Sequence, residues 1–199
     1  AYAFDTDHDP VLLIHGFGLT EDERPESTWD SLSVDLIGEG WEPGGVIGIG
    51  LPDTNKSADF YTIRLSSNNC LTYESQGTEV DSAVVKILNK RTDRSSVILV
   101  GFSMGGLSAR AYLQNCDEPR ASGLITIQTP HSGSYLAFFA EEPELPLWFS
   151  LILDAIEDIN IMEPLNDITQ VIDSPAAQYL RPCHPLLEEL NSNIHKMPH

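Results

Sequence analysis

The sequence has little positive charge and no long apolar run, and both shortages restrict what the protein can bind. Lysine and arginine together number 11, against 30 aspartates and glutamates, which gives a formal net charge of −19. A field of that sign repels phosphate, so we expect no nucleic-acid partner. No apolar stretch is long enough to cross a bilayer, so we also expect no stable membrane insertion.

Cysteine is scarce as well, with three scattered positions at Cys70, Cys116 and Cys183. Three cysteines are too few for a disulfide scaffold or a thiolate metal site, although one bridge with one free thiol is left open. The N-terminal acidic group around His8 contains residue types that can bind a metal ion, but a solvated run of charged residues is the commoner case. The length of 199 residues and the 41% hydrophobic content predict one folded domain over residues 1–199.

Short apolar runs alternate with helical patterns along the chain. Runs rich in valine and isoleucine that do not alternate with polar residues are typical of strands covered on both faces of a parallel sheet. Such runs occupy Val11–Ile14, Val46–Leu51, Val97–Val100 and Leu124–Ile127. A first helix is predicted after a cap at Ser27 or Thr28, with Leu32 and Ile37 among its apolar positions. A second is predicted from Thr78 towards Arg91, and a third directly after Ser103. This order predicts an α/β fold with a doubly wound, mostly parallel sheet.

Residues 138–175 differ from the rest because acidic clusters and prolines frame an apolar stripe that includes Trp148 and Ile152. The stripe fits a lid or an acyl-chain-binding cap. It equally fits an amphipathic helix buried against the sheet.

The segment "VILVGFSMGG", residues 97–106, places Ser103 in the pattern G-x-S-x-G, between an apolar strand and a helix. That is the context of a nucleophile elbow, in which the serine occupies a strained strand-to-helix turn. Gly101 and Gly105 are then required because side chains there would collide with neighbouring backbone. The N-terminal amides of the next helix would face an oxyanion formed at the serine. A glycine-rich turn with an incidental serine is the alternative.

A second motif, "PVLLIHGFG", ends the first apolar run at His15 and Gly16. Such a turn can direct the amide of Phe17 at the same oxyanion, with the amide of Met104 as the second donor. We expect His15 to shape this loop by hydrogen bonding rather than to act as a base.

Together with "LITIQTPHSGS" and "YLRPCHPLLEELN", these motifs resemble the α/β-hydrolase superfamily, in particular the bacterial lipase and esterase group with its lipase A-like and GPI inositol-deacylase-like hydrolases. The resemblance implies Ser103 as nucleophile, the amides of Phe17 and Met104 as the oxyanion hole, and small-molecule or lipid esters as substrates. It implies an acyl-enzyme reaction without a cofactor, and secretion from the cell. Phe102 is a departure, since relatives often carry histidine there.

A serine nucleophile needs a histidine base and a carboxylate, which follow it in the chain of such enzymes. His131 and His184 are weak candidates, the first as a loop residue and the second as a surface turn. His195, His199, Asp154, Asp158, Asp167 and Asp173 follow no recognisable strand. We therefore expect both partners beyond residue 199 and a fold that is incomplete at its C-terminal end. The alternative is a noncatalytic module or an inactive fragment.

Overall fold

The fold is described from a computed structural model of the chain. The structure describes residues 8–17, 24–52, 56–67, 70–134 and 175–193. Within these ranges, no helix has both the length and the apolar character that crossing a membrane requires. The stretch 138–174, predicted as a cap or a buried helix, lies outside them.

Five parallel strands form one sheet in the order β2-β3-β1-β4-β5. The strands are β1 Val11–Ile14, β2 Pro43–Gly48, β3 Phe60–Arg64, β4 Val97–Phe102 and β5 Ala121–Ile127. The helices are α1 Asp30–Gly38, α2 Tyr73–Lys90, α3 Met104–Asn115, α4 Pro175–Tyr179 and α5 Pro185–Ser192, and a short 3₁₀ helix, Pro25–Trp29, precedes α1. The predicted α/β class with a parallel sheet is confirmed.

The core lies on both faces of this sheet. On one face, α2 and α3 pack against alternate residues of the central strands, such as Leu12 and Leu99. On the other face, Val11 and Val100 pack around Trp29, which is buried. Because β1 is the middle strand and β4 lies beside it, the ends of β1 and β4 are held close together.

Several predicted boundaries were wrong. Strand β3 was missed because its run "FYTIR" contains tyrosine, threonine and arginine, yet its first four residues are buried between two neighbouring strands. Helix α2 begins five residues before Thr78, because the side chain of Thr72 caps it by accepting from the amide of Ser75 at 3.1 Å. Strand β2 runs over 43–48 rather than 46–51.

The predicted cap and core face of α1 were also wrong. Residues 25–29 form the 3₁₀ helix, and α1 begins at Asp30 without a side-chain cap. Leu32 and Ile37 are exposed, because only Trp29 and Leu36 from this segment reach the core.

Strand β5 forms one edge of the described sheet and leaves apolar side chains uncovered. Ile125 is 54% exposed and Ile127 is 39% exposed, whereas Val100 on the neighbouring strand is buried. Within the described residues, no strand pairs with the outer edge of β5.

Candidate active site

Ser103 lies in a sharp turn between β4 and α3. Its φ is 52° and its ψ is −127°, a region that residues with a side chain rarely occupy. Two backbone hydrogen bonds maintain the turn: the amide of Ser103 donates to Ile127 O at 2.9 Å, and the amide of Gly106 donates to Ser103 O at 3.1 Å. The strained strand-to-helix turn predicted at residue 103 is therefore present.

The glycines around the turn permit close backbone contacts. A Cβ added to Gly101 would lie 2.5 Å from the Cα of Gly106. One added to Gly105 would lie 2.3 Å from His15 O and 2.6 Å from Ile14 O. Real Cβ atoms essentially never approach so closely, so both positions require glycine for the predicted reason.

The turn after β1 packs directly against the turn at Ser103. A Cβ added to Gly16 would lie 2.7 Å from the Cβ of Ser103. The amides of Phe17 and Met104 donate to no described residue, and Met104 is the first residue of α3. The partial positive charge at this helix N-terminus favours an anion beside Ser103. The oxyanion-hole role of the two amides stays a prediction.

His15 holds this turn in place. Its side chain is completely buried, its Nδ1 lies 2.8 Å from Gly16 O, and its Nε2 lies 3.3 Å from the amide of Leu65. Because a carbonyl only accepts and an amide only donates, Nδ1 carries the proton and Nε2 is the acceptor. Burial lowers the pKa of His15 and keeps the ring neutral. Both nitrogens are engaged in shaping the loop, so His15 is not available as a base.

His131 is likewise engaged by its neighbours. Its Nδ1 lies 3.0 Å from Arg110 Nη1, and its Nε2 lies 3.1 Å from Thr126 Oγ1. A guanidinium only donates, so Nδ1 accepts and Nε2 carries the proton donated to Thr126. Burial and the charge of Arg110 lower the pKa of His131. No lone pair on this ring is free to take a proton from Ser103.

The other two histidines of the described ranges also have structural roles. His184, predicted as a surface turn residue, closes a turn by donating its amide to Arg181 O at 3.1 Å, and it also caps α5, because its Nδ1 accepts from the amide of Leu186 at 3.3 Å. His8 stacks on Trp41 with ring centroids 4.2 Å apart. Within the described residues, therefore, no histidine is placed to activate Ser103. The remaining candidates, His195, His199, Asp154, Asp158, Asp167 and Asp173, lie outside these residues.

Within the described residues, no three histidine, cysteine or acidic side chains lie together in a way that could hold a metal ion. Asp9, part of the N-terminal acidic group, accepts a hydrogen bond from Ser96 Oγ at 2.7 Å. Cys70, Cys116 and Cys183 are free thiols. A cavity of about 570 Å³ between α2, α3 and α5 is lined by acidic side chains and includes none of the residues around Ser103.

Apolar side chains lie near the turn at Ser103. Phe102, directly before Ser103, makes an edge contact with Trp29 at a centroid distance of 6.3 Å. Phe17 packs against a second apolar cluster that contains Met104, Leu107 and Leu187. Phe102 is thus next to Ser103 in the chain, and Phe17 is next to Gly16, whose turn contacts Ser103.

The parallel sheet, the helices on both faces and the strand–turn–helix at Ser103 define an α/β-hydrolase fold. The mature form of lipase BlEst2 from Bacillus licheniformis has a similar structure, with a TM-score of 0.61 and 19% sequence identity. The match covers 97% of this chain and 64% of that one, so the chain spans less than two thirds of the lipase. The propeptide form of the same lipase matches with a TM-score of 0.60 and 18% identity, over 97% of this chain and 35% of that one.

The family is established from the sequence as a whole. A family model described as palmitoyl protein thioesterase matches residues 10–185, and the chain belongs to that family. A comparison with curated proteins finds no match.

Proposed function

We propose that this chain carries the nucleophile and the oxyanion-binding part of an acyl hydrolase that cleaves carboxylic esters or thioesters through an acyl-enzyme on Ser103. The observation that carries the proposal is the turn at Ser103, which sets a serine at a helix N-terminus against the turn at Gly16. Membership of a thioesterase family supports acyl transfer, and the apolar surface at Phe17 and Phe102 supports an acyl chain as the group bound.

In the proposed reaction, Ser103 Oγ attacks the acyl carbonyl carbon while its proton passes to a general base. The negative charge then develops on the carbonyl oxygen, where the amides of Phe17 and Met104 would donate to it. Loss of one such donor typically costs about 3 kcal/mol of transition-state stabilisation. The alcohol or thiol leaves with the proton from the base, and water attacks the acyl-enzyme to release the acid and regenerate Ser103 Oγ–H.

The base and its carboxylate partner are proposed to come from outside the described residues. Each of the four described histidines has a partner within the described residues. His15 contacts Gly16 and His131 contacts Arg110. His184 contacts Leu186, and His8 stacks on Trp41. A role as base for Ser103 is therefore not assigned to any of them.

Labelling with a fluorophosphonate probe tests the nucleophile. In the protein that includes the base, called the wild type in the tests below, we expect the probe to modify Ser103, because an activated serine attacks phosphorus with loss of fluoride. The variant Ser103→Ala should not be labelled, whereas Ser82→Ala, which removes an exposed hydroxyl on α2, should be labelled like the wild type. Peptide mapping by mass spectrometry locates the adduct.

Equal labelling of Ser103→Ala would contradict the proposal. Failure to label the wild type would contradict it as well, and would favour the second candidate, a noncatalytic α/β-hydrolase-like module. The observation that favours this second candidate is the engagement of the four described histidines.

A chain-length series of p-nitrophenyl esters, run beside the matching acyl thioesters, tests the substrate class. We expect rates to increase from acetyl to longer chains, because each buried methylene contributes about 0.8 kcal/mol. A preference for acetyl substrates would contradict the acyl-chain interpretation of the surface at Phe17 and Phe102. Turnover that Ser103→Ala abolishes would exclude the noncatalytic module.

A further inference from the structure

We propose that Arg110 is a positioning residue, which holds the wall of the Ser103 site by clamping loop 128–134 between α3 and α5. This inference rests on the proposed function, because it gives Arg110 a role in the geometry of the nucleophile. The three parts of the clamp are Arg110 on α3, His131 in the loop, and Leu190 with Asn191 on α5.

Arg110 is a buried cation whose described partners are all neutral. Its side chain is 4% exposed. Nη1 donates to His131 Nδ1 at 3.0 Å, and Nη2 donates to Leu190 O and to Asn191 Oδ1, both at 3.1 Å. Among the described residues, no carboxylate forms an ion pair with it.

Among the described residues, the guanidinium donates to a histidine nitrogen, a backbone carbonyl and a side-chain amide oxygen, which fits a positioning role. Burial lowers the pKa of Arg110, but the group stays charged. A planar fork with several fixed donors can bind acceptors from separate segments in one geometry. Arg110 therefore joins three segments that are distant in the sequence.

The clamped loop lacks regular secondary structure and depends on such contacts. Gln128 has φ 52° and Gly133 has φ 89°. Asn191 Nδ2 donates to His131 O at 2.8 Å, so α5 holds His131 through its backbone while Arg110 holds its ring. The amide of Ser134 donates to Leu180 O at 2.7 Å. Loss of Arg110 would remove the hydrogen bond between α3 and the His131 ring, and would leave Asn191 Oδ1 without this donor.

The loop forms part of the wall behind Ser103. The residue before it, Ile127, accepts the hydrogen bond from the amide of Ser103. Within the loop, Thr129 packs so closely on α3 that a Cβ added to Gly106 would lie 2.0 Å from Thr129 Oγ1. A displacement of the loop is therefore transmitted to the turn that presents Ser103 Oγ, and a misplacement of about 1 Å can cost about 100-fold in rate.

The test compares Arg110→Met and Arg110→Lys with Arg120→Met, which removes an exposed arginine. Hydrogen exchange reports on the loop, and the rate of fluorophosphonate labelling reports on Ser103. For Arg110→Met we expect faster exchange of the hydrogen-bonded amides of His131, Gly133 and Ser134, unchanged protection of α2, and labelling slowed by about 100-fold. Arg110→Lys should recover only part of the rate, because an ammonium group lacks the planar fork. Arg120→Met should match the wild type in both measurements.

A third readout is the titration of His131 followed by NMR. The charged group facing this ring is Arg110 on α3, whereas Thr126 on β5 and Asn191 on α5 are neutral. Removal of the positive charge should raise the pKa of His131, and a merely volume-filling role of Arg110 would leave it unchanged.

Asn191→Ala provides a milder variant if Arg110→Met does not fold, since Asn191 is exposed and its loss removes one contact to Arg110 and one to His131 O. It should increase exchange at the same loop amides and slow labelling in the same direction. Wild-type exchange in this loop, or wild-type labelling rates, in a folded Arg110→Met or Asn191→Ala would overturn the inference. If the wild type is not labelled at all, the proposed function fails and the positioning role fails with it. Exchange and titration would then still show whether the clamp exists.

Discussion

Gly105→Val is expected to destabilise the domain by about 3 kcal/mol or more, the upper end of the cost of overpacking a core. The obstructing atoms are the backbone oxygens of His15 and Ile14, which would lie 2.3 and 2.6 Å from an added Cβ. Since β1 is the middle strand of the sheet and pairs on both sides, these oxygens cannot move without disturbing the centre of the fold. The loss is measured as the change in the free energy of unfolding in urea.

Gly38→Val is the matched control, because Gly38 also lies in a helix but an added Cβ there meets no atom within 4 Å. It should change the free energy of unfolding by no more than about 0.5 kcal/mol. If Gly105→Val were equally mild, the close approach of α3 to β1 would be refuted, and with it the placement of the turn at Gly16 against Ser103.

Arg64→Met is expected to cost about 2 kcal/mol at neutral pH, because it leaves a buried carboxylate without its main partner, while solvent screens part of the interaction at Arg64, which is 40% exposed. Glu26 is 3% exposed, and its Oε2 accepts from Arg64 Nε at 3.1 Å while Oε1 accepts from Arg64 Nη2. Burial raises the pKa of Glu26, but the hydrogen bonds and charge of Arg64 outweigh this and hold the pKa below its ordinary value.

The pH dependence follows from that direction. A carboxylate whose pKa is lowered in the folded state contributes stability above its ordinary pKa of about 4.3, and the contribution is lost as the pH falls through the folded-state value. In Arg64→Met, the charge and hydrogen bonds of Arg64 no longer outweigh the effect of burial, so the pKa of Glu26 should rise. The difference in unfolding free energy between wild type and variant should therefore be large at pH 7, begin to shrink as the pH falls through the raised pKa of Glu26 in the variant, and disappear only below the lowered pKa of Glu26 in the wild type.

Two controls separate the ion pair from packing. Arg24 lies 3.6 Å from Glu26 but is 64% exposed, so Arg24→Met should cost less than about 1 kcal/mol. The double variant with Glu26→Met and Arg64→Met removes the uncompensated charge and should recover most of the stability lost in Arg64→Met. A pH-independent loss in Arg64→Met would show that the ion pair is not the cause.

Local features of the sequence were sufficient to predict the strand, turn and helix around Ser103. The run 97–100, the glycines at 101 and 105 and the helical pattern that follows are adjacent in the chain, and short-range sterics decide their conformation. The same holds for the turn at His15 and Gly16, and for the parallel character of β1 and β4. A hydrophobic run indicates that its strand is buried on both faces, whichever strands lie beside it.

Strand β3, the exposure of α1 and the partners of the histidines depended on the tertiary structure. Tyr61 is completely buried only because other elements cover it, whereas Ile37 is exposed because little covers α1. Arg110 gave one signal that could have been used, a charged residue in a helix otherwise poor in charge. Its partners, at residues 131, 190 and 191, could not be inferred, since they come from separate segments and their meeting depends on how α5 packs on α3.

The sequence by itself thus determined where a serine is placed in a strained turn, because that turn is built from neighbouring residues. Only the tertiary structure decided which partners contact the histidines and which loop supports Ser103. Contacts between distant segments form only when the sheet and helices bring those segments together.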